Sequence, residues 1–436
     1  MTRVVHKFGG SSLSSASRYQ AVAQIVVGQC QLGDCVVVSA AGKTTNTLVK
    51  LWQSYQQQEQ QSFNDILLQV ENHQVELINA LFQGEKQRQL ADTLLTELQV
   101  ITQAANTKTL NEAELLAHGE LWSARILANY LSESGLQAQA VDARKLFTVH
   151  NGQLVHQQNK QACLATLDKN HIFVVTGFIA ADDQGNTVTL GRNGSDYSAT
   201  IMASLSGALN VTLWTDVDGI YSADPRVVPL ARKLHRLPNG VARELGRLGN
   251  PVLHAKTLQP LTNHSTHLHV ASSFDPQISG TEIGKFGQIA KQELSVTYLN
   301  DLLLAQSESF IGETGEQASE EFSAICVDSK QGFLVIHREQ QKDISQWLAS
   351  HDTQVSFQPV SIIATVGHKV TKHGDVKARF KRALKSAQPL KLVNSSNSHS
   401  LIAILSQPCS VELLNNIHHD MTKDARHIGV VVAGLG

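Results

Sequence analysis

The first residues able to do chemistry stand near the amino terminus, where an apolar run ends in a lysine. Lys7 is followed closely by Gly9, Gly10 and Ser11, and a segment of helical period starts near Ser15. Glycines let the backbone approach an anion, the helix start supplies free N–H groups, and lysine adds a mobile positive charge. The order strand, glycine turn and helix therefore predicts a phosphate site. An ordinary turn with an exposed lysine is the alternative interpretation.

A second turn of this kind lies far along the chain, at residues 191–196, which read Gly-Arg-Asn-Gly-Ser-Asp. It follows a predicted strand at Thr187–Leu190 and precedes a predicted helix at Tyr197–Ser206. Arg192 suits two-pronged recognition of a carboxylate or a phosphate. Asp196 has a structural alternative, because aspartate is a common N-cap of a helix.

A predicted helix over Glu112–Ser132 carries the sequence His-Gly-Glu at residues 118–120. Glu120 stands among apolar residues at helical spacing, so its side chain is a candidate for partial burial. A solvated helix carboxylate is the alternative, and the helix alone favours it.

Three further patterns are excluded by their spacing. Gly42-Lys43-Thr44 lacks the glycine that a P-loop requires five residues earlier, where Val37 stands. The acidic loop at residues 215–226 fails the EF-hand pattern for calcium. The histidines at 264, 267 and 269 are split between strand faces, so no metal site is expected there.

Length and composition narrow the classes of protein. The chain has 436 residues, 42% hydrophobic and 17% charged, which predicts a globular protein of two or three domains. A net charge of -2 without a basic run argues against a nucleic-acid partner. No leader segment and no apolar run of roughly 20 residues are evident, so no membrane partner is expected. Five scattered cysteines fit the reducing cytoplasm, which is the expected location.

The elements around these motifs alternate between helices and all-apolar strands. This alternation predicts a mostly parallel sheet covered on both faces. The loop at residues 272–284 predicts a domain boundary. Beyond it, the order strand, helix, strand, strand, helix, strand is approached twice, as in a paired regulatory or dimerisation module. A last strand leads into Gly434-Leu435-Gly436, which predicts the beginning of a dinucleotide-binding domain.

Together, these motifs resemble those of aspartate kinases, members of the amino-acid kinase family, over roughly residues 3 to 275. The resemblance extends to the kinase half of bifunctional aspartokinase/homoserine dehydrogenases of the methionine-pathway type. It implies an α/β amino-acid-kinase fold, a largely parallel eight-stranded sheet sandwiched by helices, followed by an ACT-like α+β regulatory module. The expected domains are a kinase domain at 1–280, ACT-like domains at 290–425 and a truncated dinucleotide-binding domain at 427–436.

The resemblance also implies roles for particular residues. Lys7 and Asp196 would be catalytic, with Lys7 stabilising the transferring phosphoryl group and Asp196 organising the lysines and magnesium. The residues expected to hold aspartate are Ser39, Thr45, Glu120, Phe178, Arg192 and Ser195. The residues expected to hold ATP are Lys7, Gly9, Gly10, Ser11, Thr215, Asp216, Tyr221, Arg226, Lys256 and Thr257. No protein metal site is expected, because Mg²⁺ would be carried mainly by the ATP phosphates.

The activity implied is phosphorylation of the side-chain carboxylate of L-aspartate with MgATP, the first step of lysine, threonine and methionine biosynthesis. A homodimer or homotetramer through the ACT-like module is expected. Residues 363–368 resemble the effector turn of ACT domains, but the polar segment at 394–400 departs from the usual motif, which argues against feedback by lysine or threonine. A non-catalytic amino-acid sensor, or a kinase for another small amino acid, is the alternative function.

Overall fold

The computed structural model describes residues 3–150, 153–262, 264–286, 293–349 and 354–423. The predicted domain at 427–436 lies outside these residues. Contacts divide the chain into a first unit, Met1–Gly219 with Lys256–Gly284, and a second unit, Ile220–Ala255 with Lys285–Gly436. The predicted division at 280–290 had placed residues 220–255 in the first domain. Within the described part of the chain, no helix has the length and apolar character needed to cross a membrane.

An eight-stranded sheet, seven of whose strands belong to the first unit, confirms the predicted fold class. Across the sheet these seven strands follow the order Thr281–Gly284, His267–Ser272, Asn210–Thr215, Val4–Phe8, Cys35–Val38, Ile172–Thr176 and Ala138–Val141. All neighbours in this order are parallel except Thr281–Gly284, which is antiparallel to its neighbour. The central strands are fully buried, as expected where helices cover both faces.

The helices of the first unit are mostly long. They are Ala16–Gln29, Thr44–Gln56, Gln60–Leu81, Gly84–Asn106, Glu112–Glu133, His156–Thr166, Gly194–Ser206 and the single turn Ala255–Leu258, which starts at the unit boundary. Short strands lie at Val149–His150, Gln153–Leu154, Ile179–Ala181 and Thr187–Thr189, and 3-10 turns at Gly10–Leu13, Ala143–Lys145 and Gln259–Leu261. The glutamine-rich stretch near residue 56 spans the end of Thr44–Gln56 and the beginning of Gln60–Leu81, with a turn between the two helices.

The sequence predicts a helix over Pro251–Leu261, but the first four residues of this range are not helical. The helical turn begins only at Ala255. The side-chain oxygen of Asn250 accepts hydrogen bonds from the backbone N–H groups of Val252 and Leu253, at 2.9 and 3.0 Å. Hydrogen bonds from the backbone to a nearby side chain compete with the hydrogen bonds of a helix, so residues 251–254 do not join the predicted helix.

The second unit contains a six-stranded sheet that is antiparallel throughout. Its strands follow the order Cys326–Asp328, Phe333–His337, Ser295–Gln306, Ser356–Val366, Ser400–Leu405 and Lys391–Asn394. Its helices are Asn239–Arg247, Glu313–Glu321, Gln341–Ala349, Gly374–Ala383 and Val411–Thr422. Further short strands are Ile220–Tyr221, Lys233–Leu234 and Arg236–Pro238, and 3-10 turns are Glu308–Phe310, Arg338–Gln340 and Val370–Lys372.

The two central strands of this sheet are shared between two lobes. Ser295–Gln306 and Ser356–Val366 pair along their length, with a shift of register between Leu299 and Leu302. On one side of the shift, residues 302–360 give the order strand, helix, strand, strand, helix, strand. On the other, residues 360–422 repeat that order and borrow 295–299 as the last strand. Each lobe has its own apolar cluster, so the predicted ACT-like α+β arrangement is confirmed.

Candidate active site

The parallel strands of the first unit end together at one edge of the sheet. Phe8 is in register with Val38 and with Trp214, and Val38 is in register with Thr176. The loops that follow these strands therefore meet at the carboxyl edge, the place where open α/β sheets bind ligands. Most of the predicted site residues of the first unit lie in these loops or face them.

The closest pair of charges at this edge is Lys7 and Asp196. Their Nζ and Oδ1 atoms are 2.5 Å apart, and the side chains are only 11% and 18% exposed. The Lys7 ammonium also lies beside Gly9, where an added Cβ would stand 3.4 Å from Nζ. A cation held this way can neutralise charge on a transferring phosphoryl group.

The turn before the helix Gly194–Ser206 explains how Asp196 reaches Lys7. Gly191 and Asn193 both have positive φ, 77° and 55°, and Asn193 is the residue at the N-cap. Asp196 lies inside the first turn of the helix, so the structural alternative that made it the N-cap is wrong. Its carboxylate also benefits from the positive end of the helix.

Three glycines bring the loops of this edge into close contact. A Cβ on Gly10 would stand 2.8 Å from the carbonyl oxygen of Gly42, and one on Gly119 would stand 2.8 Å from the Cβ of Ala40. At Gly177, a Cβ would stand 2.6 Å from the Cβ of Ser195. Any side chain at these positions would push the loops apart.

Glu120 is the buried carboxylate of this site. The residue is 2% exposed, and its Oε1 accepts a hydrogen bond of 3.3 Å from the backbone N–H of Ala40. Its Oε2 has no hydrogen-bond partner among the described residues. Burial raises the pKa of this carboxyl to about 8. The alternative of a solvated helix carboxylate is therefore wrong.

The other residues predicted to hold aspartate lie around the same loops. Phe178 has a left-handed backbone, with φ of 68°, and its N–H donates to the Ser198 hydroxyl at 3.0 Å. A Cβ on Gly194 would stand 2.7 Å from the Phe178 ring. Arg192 is exposed at the tip of its turn. The remaining members are the buried Ser195 and the half-buried Ser39 and Thr45.

Most of the residues predicted to hold ATP in the first unit are also at this edge. Ser11 is exposed, and the Thr215 hydroxyl donates to the exposed Asp216 carboxylate at 3.1 Å. Lys256 is different, because its Nζ donates to the Leu190 carbonyl at 2.8 Å and lies 4.8 Å from the Tyr197 ring centre. Thr257 is 1% exposed, and its hydroxyl lacks a partner among the described residues.

Comparison with known proteins places this arrangement in a family. Residues 2–272 match the amino acid kinase family. The chain belongs to the amino acid kinase family. The match covers six of the seven strands of the first unit, all except Thr281–Gly284, and the expected membership of this family is confirmed.

Relatives of this family member carry aspartokinase names. The bifunctional aspartokinase/homoserine dehydrogenase 2 of Escherichia coli is 32% identical over 459 residues, covering 100% of this chain and 56% of that relative. The lysine-sensitive aspartokinase 3 of E. coli is 35% identical over 288 residues, covering 64% of this chain and 63% of the relative. The chain thus spans less than two thirds of either relative's length.

A solved structure shares the architecture of both units. The crystal structure of E. coli aspartokinase III in complex with aspartate and ADP superimposes with a TM-score of 0.84 and 25% identity. The alignment covers 96% of this chain and 99% of that chain. The predicted resemblance to aspartate kinases is therefore confirmed.

Two residues of the predicted ATP set, Tyr221 and Arg226, belong to the second unit. Tyr221 pairs with Lys233 in a two-residue antiparallel ladder. Arg226 is 74% exposed on its side chain and bonds to the Asp224 carboxylate at 2.8 Å.

Sequence reasoning missed contributions that come from the backbone and from small residues. The Ala40 N–H that holds Glu120 and the close approach of Gly177 to Ser195 were not foreseen. The position of Gly177 directly after a predicted strand is a sequence signal for close packing there. The contribution of the Ala40 N–H has no such signal, because every residue except proline has a backbone N–H.

Among the described residues, no group of three or more His, Cys, Asp or Glu side chains is arranged to hold a metal ion. Asp196 is the carboxylate that lies beside Lys7, and it is the candidate to face a metal ion brought in by a nucleotide. A single carboxylate with substrate phosphates and waters is a usual environment for Mg²⁺.

Proposed function

We propose that this protein is an aspartate kinase, which transfers the γ-phosphoryl group of MgATP to the side-chain carboxylate of L-aspartate. The products are 4-phospho-L-aspartate and ADP. The observation that carries this proposal is the meeting, at one sheet edge, of the Lys7–Asp196 pair and a buried carboxylate with an open oxygen, Glu120. The aspartate and ADP named for the superimposed E. coli structure support the same reaction.

Each proposed substrate contact has a physical reason. An unpartnered oxygen on a buried carboxylate is costly, and the ammonium of an amino acid supplies the missing donor and charge. Arg192, exposed and without an ion pair among the described residues, can clamp the α-carboxylate with two parallel hydrogen bonds. Ser39, Thr45, Phe178 and Ser195 would complete the pocket for aspartate.

The chemical step requires positioning and charge neutralisation rather than proton transfer. The side-chain carboxylate of aspartate has a pKa of about 4 in water, so it is already ionised at neutral pH. Its oxygen forms a bond to the γ-phosphorus while the bond from that phosphorus to the bridging oxygen breaks and ADP leaves. Lys7 stabilises the negative charge on the phosphoryl group during transfer, and Asp196 holds the Lys7 ammonium in place.

Exposed loops of the protein would hold the nucleotide, mainly through its phosphate groups. Gly10 and Ser11 can offer backbone N–H groups and the Ser11 hydroxyl to phosphate oxygens. The N–H of Gly9 already donates to the Trp214 carbonyl at 3.3 Å, so Gly9 would contribute through the absence of a side chain beside Lys7. We propose that Mg²⁺ remains bound mainly to the ATP phosphates, where it neutralises charge. The further nucleotide contacts in this proposal are Thr215, Asp216, Tyr221, Arg226 and Lys256. Thr257 would act indirectly, because it is buried.

The non-catalytic alternative is not favoured. A sensor that had lost catalysis would not need the Lys7–Asp196 pair, and both residues are present and in contact. We also propose a homodimer or homotetramer formed through the second unit, whose edge strand leaves Leu392 44% exposed. Five free cysteines agree with a location in the reducing cytoplasm.

Trapping the product tests the proposed reaction. Hydroxylamine converts an acyl phosphate to a stable hydroxamate, which mass spectrometry identifies. With ATP, Mg²⁺ and aspartate, we expect the hydroxamate of the side-chain carboxyl and an equal amount of ADP. ADP without hydroxamate, or hydroxamate formed from glutamate instead of aspartate, would overturn the proposal.

A further inference from the structure

The turn after the first strand is held from below by a pair of buried serines. Ser12 lies in the 3-10 turn Gly10–Leu13, and its hydroxyl oxygen is 2.7 Å from the hydroxyl oxygen of Ser273. Ser273 directly follows the strand His267–Ser272, and both serine side chains are buried. The two residues are 261 positions apart in the sequence, so the contact depends on the assembled sheet and not on local chain geometry.

Ser273 also contacts the end of the strand that lies between these two, Asn210–Thr215. Its backbone N–H donates to the Thr215 carbonyl oxygen at 2.9 Å, and its hydroxyl oxygen is 3.3 Å from the same acceptor. The carboxyl ends of three adjacent strands are therefore joined through one residue. Two of the loops joined in this way carry residues that we propose as nucleotide contacts.

Arg18, on the helix Ala16–Gln29, is the third side chain of this network. Its Nη2 donates to the carbonyl oxygen of Ser273 at 2.8 Å and to the hydroxyl oxygen of Ser273 at 2.9 Å. The central carbon of its guanidinium lies 3.7 Å from the centre of the Phe274 ring, a position in which the aromatic face attracts a cation. These contacts fix the loop after His267–Ser272 relative to the helix that follows the Gly10–Leu13 turn.

One arrangement of the protons satisfies all of these contacts at once. The Arg18 guanidinium can only donate, so the Ser273 hydroxyl accepts from it. If the Ser273 hydroxyl donates its own proton to the Thr215 carbonyl, it can also accept the proton of Ser12. A hydroxyl has one proton and two lone pairs, and this arrangement uses all three. Loss of the Ser273 hydroxyl would therefore break three contacts together.

We propose that Ser273 and Arg18 are positioning residues for the phosphates of the nucleotide, acting through Ser12 and Thr215. This inference rests on the proposed function, which takes residues of the Gly10–Leu13 turn and Thr215 as nucleotide contacts. It assigns a role to two residues that need not touch the nucleotide themselves.

The residues proposed to hold aspartate are reached from other elements of the first unit. Glu120 lies on the helix Glu112–Glu133, and Arg192 lies at the tip of the turn at residues 191–196. None of the hydrogen bonds of Ser273 and Arg18 described above involves them. A loosened network should therefore weaken nucleotide binding more than aspartate binding, whereas a general loss of structure would weaken both.

The test compares Ser273→Thr with Ser273→Val, two side chains of nearly the same shape of which only threonine has a hydroxyl. Titration calorimetry measures MgADP affinity, and turnover gives KM for ATP and for aspartate. Loss of a buried, shared hydroxyl predicts that Ser273→Val binds MgADP about 3- to 30-fold more weakly than Ser273→Thr, with KM for ATP raised in proportion. We expect KM for aspartate to be the same in both. Ser134→Ala, at an exposed serine of the first unit, is the control.

A second variant keeps the test decisive if Ser273→Val does not fold. Ser12→Ala removes the contact from the side of the turn and should also weaken MgADP binding. Because Ser12 acts through Ser273, Ser12→Ala combined with Ser273→Val should lose no more affinity than Ser273→Val alone.

Two results would overturn the inference. One is an unchanged MgADP affinity in the variants that fold, and the other is equal weakening of MgADP and aspartate. A wild-type protein without aspartate-dependent turnover would instead overturn the proposed function.

Discussion

Two buried glutamates, one in each unit, differ sharply in the hydrogen bonds and charges that surround their carboxyl groups. Glu244 is 1% exposed and is bonded to Arg247 at 2.6 Å, to the Asn397 amide at 2.9 Å and to the Ser400 hydroxyl at 2.5 Å. Glu120 is 2% exposed but has one hydrogen bond, from Ala40, and an oxygen without a partner among the described residues.

The difference distinguishes a carboxylate whose hydrogen bonds are all made within the protein from the one that we propose to bind the substrate. Burial would raise the pKa of Glu244, but the hydrogen bonds and charge of Arg247 and the bonds from Ser400 and Asn397 outweigh it and lower the pKa. Nothing comparable offsets the burial of Glu120, whose pKa rises to about 8. Because buried polar atoms are normally satisfied, the open oxygen of Glu120 supports our proposal that the substrate supplies its hydrogen-bond partner.

The largest expected effect follows from breaking the structural carboxylate. Glu244→Gln should lower the free energy of unfolding by about 3 kcal/mol, because Arg247 loses its buried partner. Urea denaturation measures this change, with the exposed Glu320→Gln as control. KM for aspartate should not change in the folded protein. Stability equal to the control would contradict the structural role of Glu244.

The complementary change at Glu120 should affect binding rather than stability. Glu120→Gln removes the charge that would meet the substrate ammonium, and the loss of a charged hydrogen bond predicts a KM for aspartate about 10- to 100-fold higher. The midpoint of urea denaturation should not fall. Glu133→Gln, exposed on the same helix, is the control. An unchanged KM would remove Glu120 from the aspartate site.

The pH dependence of stability should reveal the raised pKa of Glu120. The folded protein holds this proton more tightly than the unfolded chain, where the pKa is near 4.5. The resulting stabilisation of the folded protein is fully present below pH 4.5 and is lost as the pH rises through about 8. Without substrate, the melting temperature of the wild type should therefore fall relative to that of Glu120→Gln between about pH 6 and about pH 9. Parallel curves would contradict this.

The smallest effect is expected at low pH from Glu244. Its lowered pKa in the folded state means that its contribution is present above the unfolded value of 4.5 and is lost as pH falls through the folded value. The difference in melting temperature between the wild type and Glu244→Gln should therefore narrow on acidification. A difference that widens would show that the pKa of Glu244 is raised rather than lowered.

Much of the first unit could be predicted from the sequence. Apolar strands such as Cys35–Val38 and the glycine turns after them report local geometry, and this geometry places Lys7 at the edge of the sheet. The helix start near Asp196 was misread because Asn193 adopts a left-handed backbone, which residue type favours but does not fix. The hydrogen bond to the Glu120 carboxyl group comes from Ala40, 80 residues away in the sequence, and no local sequence pattern predicts that contact.

The second unit was predictable in its elements but not in their assembly. The repeated order of strands and helices was visible, whereas the sharing of Ser295–Gln306 and Ser356–Val366 between two lobes was not. Pairing between distant strands is set by packing, and hydrophobic period reports only which face is buried. The grouping of residues 220–255 with this unit arises in the same way, through contacts such as His418 with Ser222.

The most direct test of the account is ADP release from ATP with aspartate, glutamate or acetylglutamate supplied separately, for wild type and Lys7→Ala. We predict release that requires aspartate, and a kcat at least about 100-fold lower in Lys7→Ala with little change in KM for aspartate. The exposed Lys50→Ala is the control. Turnover that is absent in the wild type, independent of aspartate, or unchanged in Lys7→Ala would contradict the account.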